Sequence, residues 1–155
     1  VFNWLTGSKA VRAAGFGGHA VYRDRETQDH YTGIVEYENG VKMTMGLLLF
    51  NYGYKDTVLV GDKGKMMFDR SGMQISVTGR FKDEKEDVIK LSDEPADIHG
   101  FKGNFGIWKD FIAACKERRP VFAGPYIGRE AVLVADSIQT SMREGRMVAC
   151  HELRT

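Results

Sequence analysis

Two phenol groups separated by one glycine, Tyr52-Gly53-Tyr54, are the residues of this 155-residue chain best suited to small-molecule recognition. Each phenol donates and accepts a hydrogen bond, and the glycine between them leaves the backbone free to form one wall of a pocket. The other reactive side chains form no complete constellation. His19, His30, His99 and His151 include no i, i+4 pair and no cysteine joins them, so a metal centre is not expected. His30 follows Asp29 at the start of a strand, and His99 precedes a helix in an irregular stretch; both fit surface or capping roles. No serine or cysteine nucleophile has a supporting pattern. Gly15-Phe-Gly17-Gly18-His-Ala20 imitates a dinucleotide fingerprint after a strand. The residues that follow, Tyr22 to Asp29, lack the apolar period of the helix whose N-terminus would receive the phosphates. Gly61-Asp-Lys-Gly64-Lys65 lacks the spacing and the hydroxyl of a P-loop and is expected to be a turn.

The elements that must position the tyrosines centre on a hairpin. Two β-type runs meet at Asn39-Gly40, a dipeptide suited to a type I′ turn. The second run alternates Val41, Met43, Met45, Leu47 and Leu49 on one face with Lys42, Thr44, Gly46, Leu48 and Phe50 on the other. The first face is expected to meet helices. The second begins polar and ends apolar, so it too calls for cover. Before the hairpin, Val1 to Gly7 has the character of the end of a helix begun upstream, and Lys9 to Phe16 that of a strand. After it come strands at Thr57–Gly61, Lys65–Asp69, Met73–Thr78 and Val88–Leu91. Two amphipathic helices close the chain. One carries Phe105, Trp108, Phe111, Ile112 and Cys115; the other carries Ile127, Ala131, Val134, Ile138 and Met142 and ends at Gly145. Residues 147–150 return as a last strand. Strands followed by helices predict an α+β fold, a largely antiparallel open sheet with helices packed on one face.

Composition narrows the class. Apolar residues make up 43% and charged residues 28%, and 22 basic side chains nearly balance 21 acidic ones. That balance gives no electrostatic reason to expect nucleic acid as a partner. Apolar runs such as Leu47 to Phe50 are too short to span a bilayer. Cys115 and Cys150 form no disulfide framework, and Cys115 is expected in a core. The length suits a single domain, residues 1–155.

A set of short stretches resembles the Gfo/Idh/MocA oxidoreductases, the relatives of glucose–fructose oxidoreductase and inositol dehydrogenase. Val1-Phe2-Asn3-Trp4-Leu5-Thr6-Gly7 with Val11 to Gly18 is similar to the segment after that family's H-x-x-D-V-x-N-W motif. Asp29-His30 and Tyr37-Glu-Asn-Gly40-Val resemble its D-H and Y-x-N-G-V patterns. Asn51-Tyr52-Gly53-Tyr54 through Gly64 resembles the inositol dehydrogenase branch, and Lys109 to Ile112, Gly124-Pro125 and Arg143 to Arg146 resemble its closing helices. The ordered set runs over nearly the whole chain.

The resemblance implies the C-terminal substrate-binding and oligomerisation domain of an NAD or NADP oxidoreductase acting on a sugar, a polyol or a related hydroxylated molecule. The Rossmann domain, absent from this chain, would lie upstream with the catalytic Lys, His and Asp. The fragment alone would then carry no catalytic residue, bind no cofactor and be inactive. Tyr54 would bind a substrate hydroxyl with Tyr52 beside it, Asp29 and His30 would lie near the pocket, and Asn3 and Trp4 would continue the catalytic helix. Gly103 to Gly106 departs from the family's tyrosine and acidic residue, which removes the expected substrate contacts there. The expected partners are the substrate, the chain's own Rossmann domain and further copies meeting through the sheet face around Leu48 and Phe50. The expected location is cytoplasmic, with no membrane or nucleic-acid partner. A non-catalytic ligand-sensing or dimerisation domain is the alternative.

Overall fold

Strand pairing and one long helix account for the first of two units in the chain. The computed structural model describes residues 2–50, 57–68, 74–79, 87–90 and 104–153. The first unit joins Val1–Tyr52 to Phe122–Thr155; the second is Gly53–Val121. In chain order the elements are α1 (Phe2–Thr6), β1 (Ala10–Gly18), β2 (His30–Tyr37), β3 (Lys42–Leu48), β4 (Thr57–Gly61), β5 (Gly64–Phe68), β6 (Gln74–Gly79) and β7 (Asp87–Lys90). Then follow α2 (Asn104–Glu117), α3 (Pro125–Glu144), β8 (Val148–Ala149) and a 3₁₀ turn (Cys150–Leu153). Among the described residues no helix is long and apolar enough to cross a membrane.

The first unit is an antiparallel sheet of order β3-β2-β1-β8 with α3 laid on one face. Gly15 of β1 pairs with Gly33 of β2, and the missing side chains make a depression for the helix. Ile138 fills it: a Cβ built on either glycine would come within 2.8 Å of an Ile138 side-chain carbon. Met142 lies over Gly17 in the same way, 2.7 Å from a Cβ there. The glycines that imitate a dinucleotide fingerprint are therefore a seat for a helix. Strand β8 pairs only with Arg12 and Ala13, so the Gly15 amide needs another acceptor, and Ser141 Oγ of α3 takes it at 3.0 Å. Helix α3 begins with Pro125 at its first turn and ends at Gly145, whose left-handed φ of 66° lets its N–H return to Ser141 O. Val35, Tyr37, Met43, Leu133, Val134, Ile138 and Cys150 form the core with Ala10 and Ala13.

The hairpin tip differs from the expected two-residue turn. Gly40 N–H bonds Tyr37 O at 2.9 Å and Tyr37 N–H bonds Val41 O at 2.9 Å, and only Gly40 has a positive φ, 84°. This is a three-residue loop, a turn over Glu38-Asn39 followed by a left-handed glycine bulge. It puts Asn39 where its amide can dock on the neighbouring segment.

The second unit holds β4-β5-β6-β7, again antiparallel, and α2. The strands thus form two four-stranded sheets within the expected α+β class. Gly61 and Gly64 close the β4–β5 hairpin, as their sequence suggests for a turn. In α2 the inward flank is Asp110, Ala113 and Ala114, one position round from the apolar stripe. Trp108, Phe111 and Ile112 are half exposed or more, and Cys115 is exposed, against expectation; Cys150 is the buried thiol.

Candidate functional site

Because α3 crosses the sheet over β1, the same face of β2 and β3 is left beneath an open groove of about 850 Å³. Met43, Met45 and Ile138 make its floor, Phe2 and Asn3 of α1 one end, and the loop Glu26–Gln28 with Arg143 its polar edge. An apolar floor with few polar groups on its margin is the usual composition of a small-molecule or segment-binding cleft. At the α1 end the Tyr37 hydroxyl donates to Asn3 Oδ1 at 3.0 Å. Burial, with the nearby Cys150 sulfur, pushes the Tyr37 phenol above its usual range, so it remains a neutral donor.

A second polar centre is built around Asp29, which is 1% exposed. Its carboxylate accepts the backbone N–H groups of Ala20, Val21 and Tyr22 at 2.7–3.0 Å, and His30 Nδ1 lies 2.9 Å away. Burial by itself would raise the Asp29 carboxyl. The bonds from Ala20, His30, Tyr22 and Val21 outweigh it and hold the group far below the usual carboxylate range. An ionised Asp29 can only accept, so His30 Nδ1 carries the proton and Nε2 is left as the acceptor of the neutral ring. The half-exposed imidazole meets Phe50 edge-on, with centroids 6.5 Å apart.

The structure separates the residues singled out by sequence. Asn3 lines the groove, and Trp4 is the third residue of α1. Tyr31 also lines the groove, so strand alternation turns His30 to the opposite face of the sheet. Asp29 is turned into the loop that it holds. Tyr52 and Tyr54 lie outside the described residues. Met43, Met45 and Arg143 were not singled out as groove residues. The methionines follow the same period-two pattern whether covered or open, and only the path of α3 distinguishes these cases. Among the described residues no group of three or more His, Cys, Asp or Glu could hold a metal.

The face of the first sheet opposite α3 carries Phe16 at 84% exposure, Ile34, and Leu48 with Phe50 at 38% each. One end of that face is polar, where Glu36 pairs with Arg12 and with Lys42. On the α3 side Leu47 is also exposed, because the helix does not reach the end of β3.

No protein-family model matches the sequence, and no curated protein matches it. Solved structures do match its fold. An oxidoreductase from Agrobacterium radiobacter, in complex with NAD+, L-tartaric acid and magnesium, superposes with a TM-score of 0.78 at 10% identity, over 97% of this chain and 46% of that one. An aldose–aldose oxidoreductase from Caulobacter crescentus, complexed with glycerol, gives 0.74 at 17% identity, over 96% and 43%. A levoglucosan dehydrogenase with NADH and levoglucosan gives 0.76 at 16%, over 95% and 46%. This chain therefore spans about half the length of the structures it matches. The α+β architecture expected from the sequence is the fold it shares with these oxidoreductases.

Proposed function

We propose that this chain is the C-terminal substrate-binding and oligomerisation domain of a Gfo/Idh/MocA-type NAD(P)-dependent oxidoreductase acting on a sugar, polyol or related hydroxylated molecule. The observation that carries the reading is the match of nearly the whole chain to about half of several oxidoreductases, among them ones in complex with NAD+ or NADH. L-tartaric acid, glycerol and levoglucosan, named with those neighbours, are all polyhydroxylated. The glycine run Gly15–Gly18 does not itself fit a dinucleotide. Ile138 and Met142 occupy the space over the glycine run, and β1 is followed by a turn-rich loop. In this reading the nicotinamide, which accepts or supplies the hydride when bound, belongs to an upstream Rossmann domain with the Lys, His and Asp of catalysis.

In this reading Tyr54, with Tyr52 beside it, fixes a substrate hydroxyl by hydrogen bonding. The Asp29–His30 pair holds Phe50: the imidazole, oriented by the carboxylate, meets edge-on a residue that stands two positions before Tyr52 in the sequence. Asn3 and Trp4 continue the helix of the catalytic motif, tied to β2 through Tyr37. The apolar sheet face around Leu48 and Phe50 joins copies of the protein.

The test uses the parent protein. Oxidation of a panel of polyols and sugars is followed by the absorbance of reduced nicotinamide, for the unaltered enzyme and for Tyr54→Phe. Loss of one hydrogen bond of about 0.5–1.5 kcal/mol lowers kcat/KM by about 2- to 12-fold at constant thermal stability. An unchanged kcat/KM removes Tyr54 from the site. Micromolar binding of NAD or NADP to the isolated chain overturns the assignment of the cofactor to an upstream domain.

A further inference from the structure

The hairpin tip carries more polar contacts than a turn needs. Asn39 Nδ2 donates to Thr6 O, the last residue of α1, at 3.1 Å, and Asn39 N–H reaches Ser8 Oγ at 3.3 Å. The adjacent Glu38 N–H donates to Lys9 O at 3.0 Å. Asn39 Oδ1 accepts the Val41 N–H at 3.3 Å. One carboxamide thus caps a carbonyl left over at the end of a five-residue helix and at the same time braces its own turn. A helix this short is not stable alone, so its position depends on such anchors.

The residue that holds this anchor is followed by Gly40. Glycine has no Cβ to hinder approach of its own amide nitrogen to the preceding side chain, and asparagine is among the thermolabile residues. In the folded chain that approach is blocked. The Gly40 N–H is donated to Tyr37 O at 2.9 Å, and both ends of the Asn39 carboxamide are engaged.

We propose that Asn39 is a deamidation site guarded by the docking of α1, and that its conversion releases α1 from the hairpin. In the reaction the Gly40 nitrogen, losing its proton to solvent base, bonds to Asn39 Cγ. The Cγ–Nδ2 bond breaks and the nitrogen departs as ammonia, leaving a five-membered succinimide. Water then opens the ring. Cleavage of the bond between the ring nitrogen and Cγ yields aspartate; cleavage at the backbone carbonyl yields isoaspartate. One water is consumed, one ammonia is released, and nothing is oxidised or reduced. Either product lacks the amide donor to the Thr6 carbonyl. In aspartate a carboxylate at Cγ faces that carbonyl and an attraction becomes a repulsion, while in isoaspartate Cγ has become part of the backbone and the free carboxylate is the former main-chain carbonyl. In isoaspartate the backbone also gains a methylene within a turn of fixed register. The inference does not depend on the proposed function, since it concerns only the tip and α1.

The experiment ages the folded chain in mildly alkaline buffer beside a synthetic peptide of residues 36–43, with conversion of Asn39 measured by peptide mapping and isoaspartate-specific methylation. The folded chain should convert about five- to thirtyfold more slowly, the protection that a net gain of one or two hydrogen bonds provides. Ser8→Ala, which removes one anchor, should speed conversion severalfold. The deamidated fraction, separated by ion exchange, should show faster hydrogen exchange over residues 2–9 with the β1–β2 ladder unchanged, and Asn39→Asp should reproduce this. Conversion of the folded chain as fast as the peptide overturns the guarding. Unaltered exchange of residues 2–9 in the deamidated fraction overturns the release.

Discussion

Replacing Gly33 by alanine tests whether the seat beneath α3 is as tight as its geometry indicates. The new Cβ would lie 2.8 Å from Ile138 Cδ1 and 3.2 Å from both Cγ atoms. Contacts this short force either an off-rotamer isoleucine or a lift of α3, at about 1–3 kcal/mol. Against that, alanine restricts the unfolded chain and returns about 0.4–1 kcal/mol. The expected net loss is about 1–2 kcal/mol, or about 2–8 °C in Tm for a chain of this size. Ile138→Val removes the nearest atom, Cδ1, and by itself costs about 0.5–1.5 kcal/mol for the lost methyl. In the double variant the alanine methyl occupies the vacated space. The two losses should therefore fall short of additivity by about 1 kcal/mol, a coupling of the size found for residues in contact. Urea unfolding of the four proteins, followed by far-ultraviolet circular dichroism, measures the cycle. A Gly33→Ala chain as stable as the original, or strictly additive losses, would refute the claim that the paired glycines exist to admit Ile138.

Two other consequences can be checked directly. The Asp29 carboxyl is lowered in the folded state, so its contribution to stability is complete above the unfolded carboxylate range and is lost as pH falls through that range towards the folded value. Asp29→Asn should lower stability at neutral pH and flatten the acid side of the stability profile below about pH 4; acid limbs of equal slope in the two proteins would contradict this. Leu48→Lys places a charge on the apolar face opposite α3, where a symmetric contact would meet it twice. Sedimentation should show a shift towards monomer, and an unmodified chain that is already monomeric at high concentration would count against assembly through this face.

The sequence by itself determined most of the elements, because their signals are local. Period-two alternation marked β3 and β6, the Asn39-Gly40 turn marked β2, and glycines marked the end of α3 and the β4–β5 turn. The 3.6-residue period of Ile127, Val134, Ile138 and Met142 marked α3, whose buried flank includes Val134 and Ile138. The failure of Gly15 to Gly18 to lead into a helix was legible too, since it depends only on the residues that follow. Tertiary structure alone decided what those glycines are for, because their use depends on Ile138 and Met142, more than a hundred residues away. It also decided which methionines line an open groove, since Met43 and Met45 obey one alternation whether or not a helix lies above them. The stripe of α2 shows the converse: periodicity marks an apolar face but not whether it is covered, and there the buried flank runs through Ala114 instead. The Asp29 site was half legible. Adjacent Asp and His residues suggested a polar centre, but the three amides that ionise the carboxylate come from a loop with no pattern of its own. Asn39 is the same case at smaller scale, a turn residue by sequence and an anchor for α1 only because Thr6 and Ser8 are brought beside it.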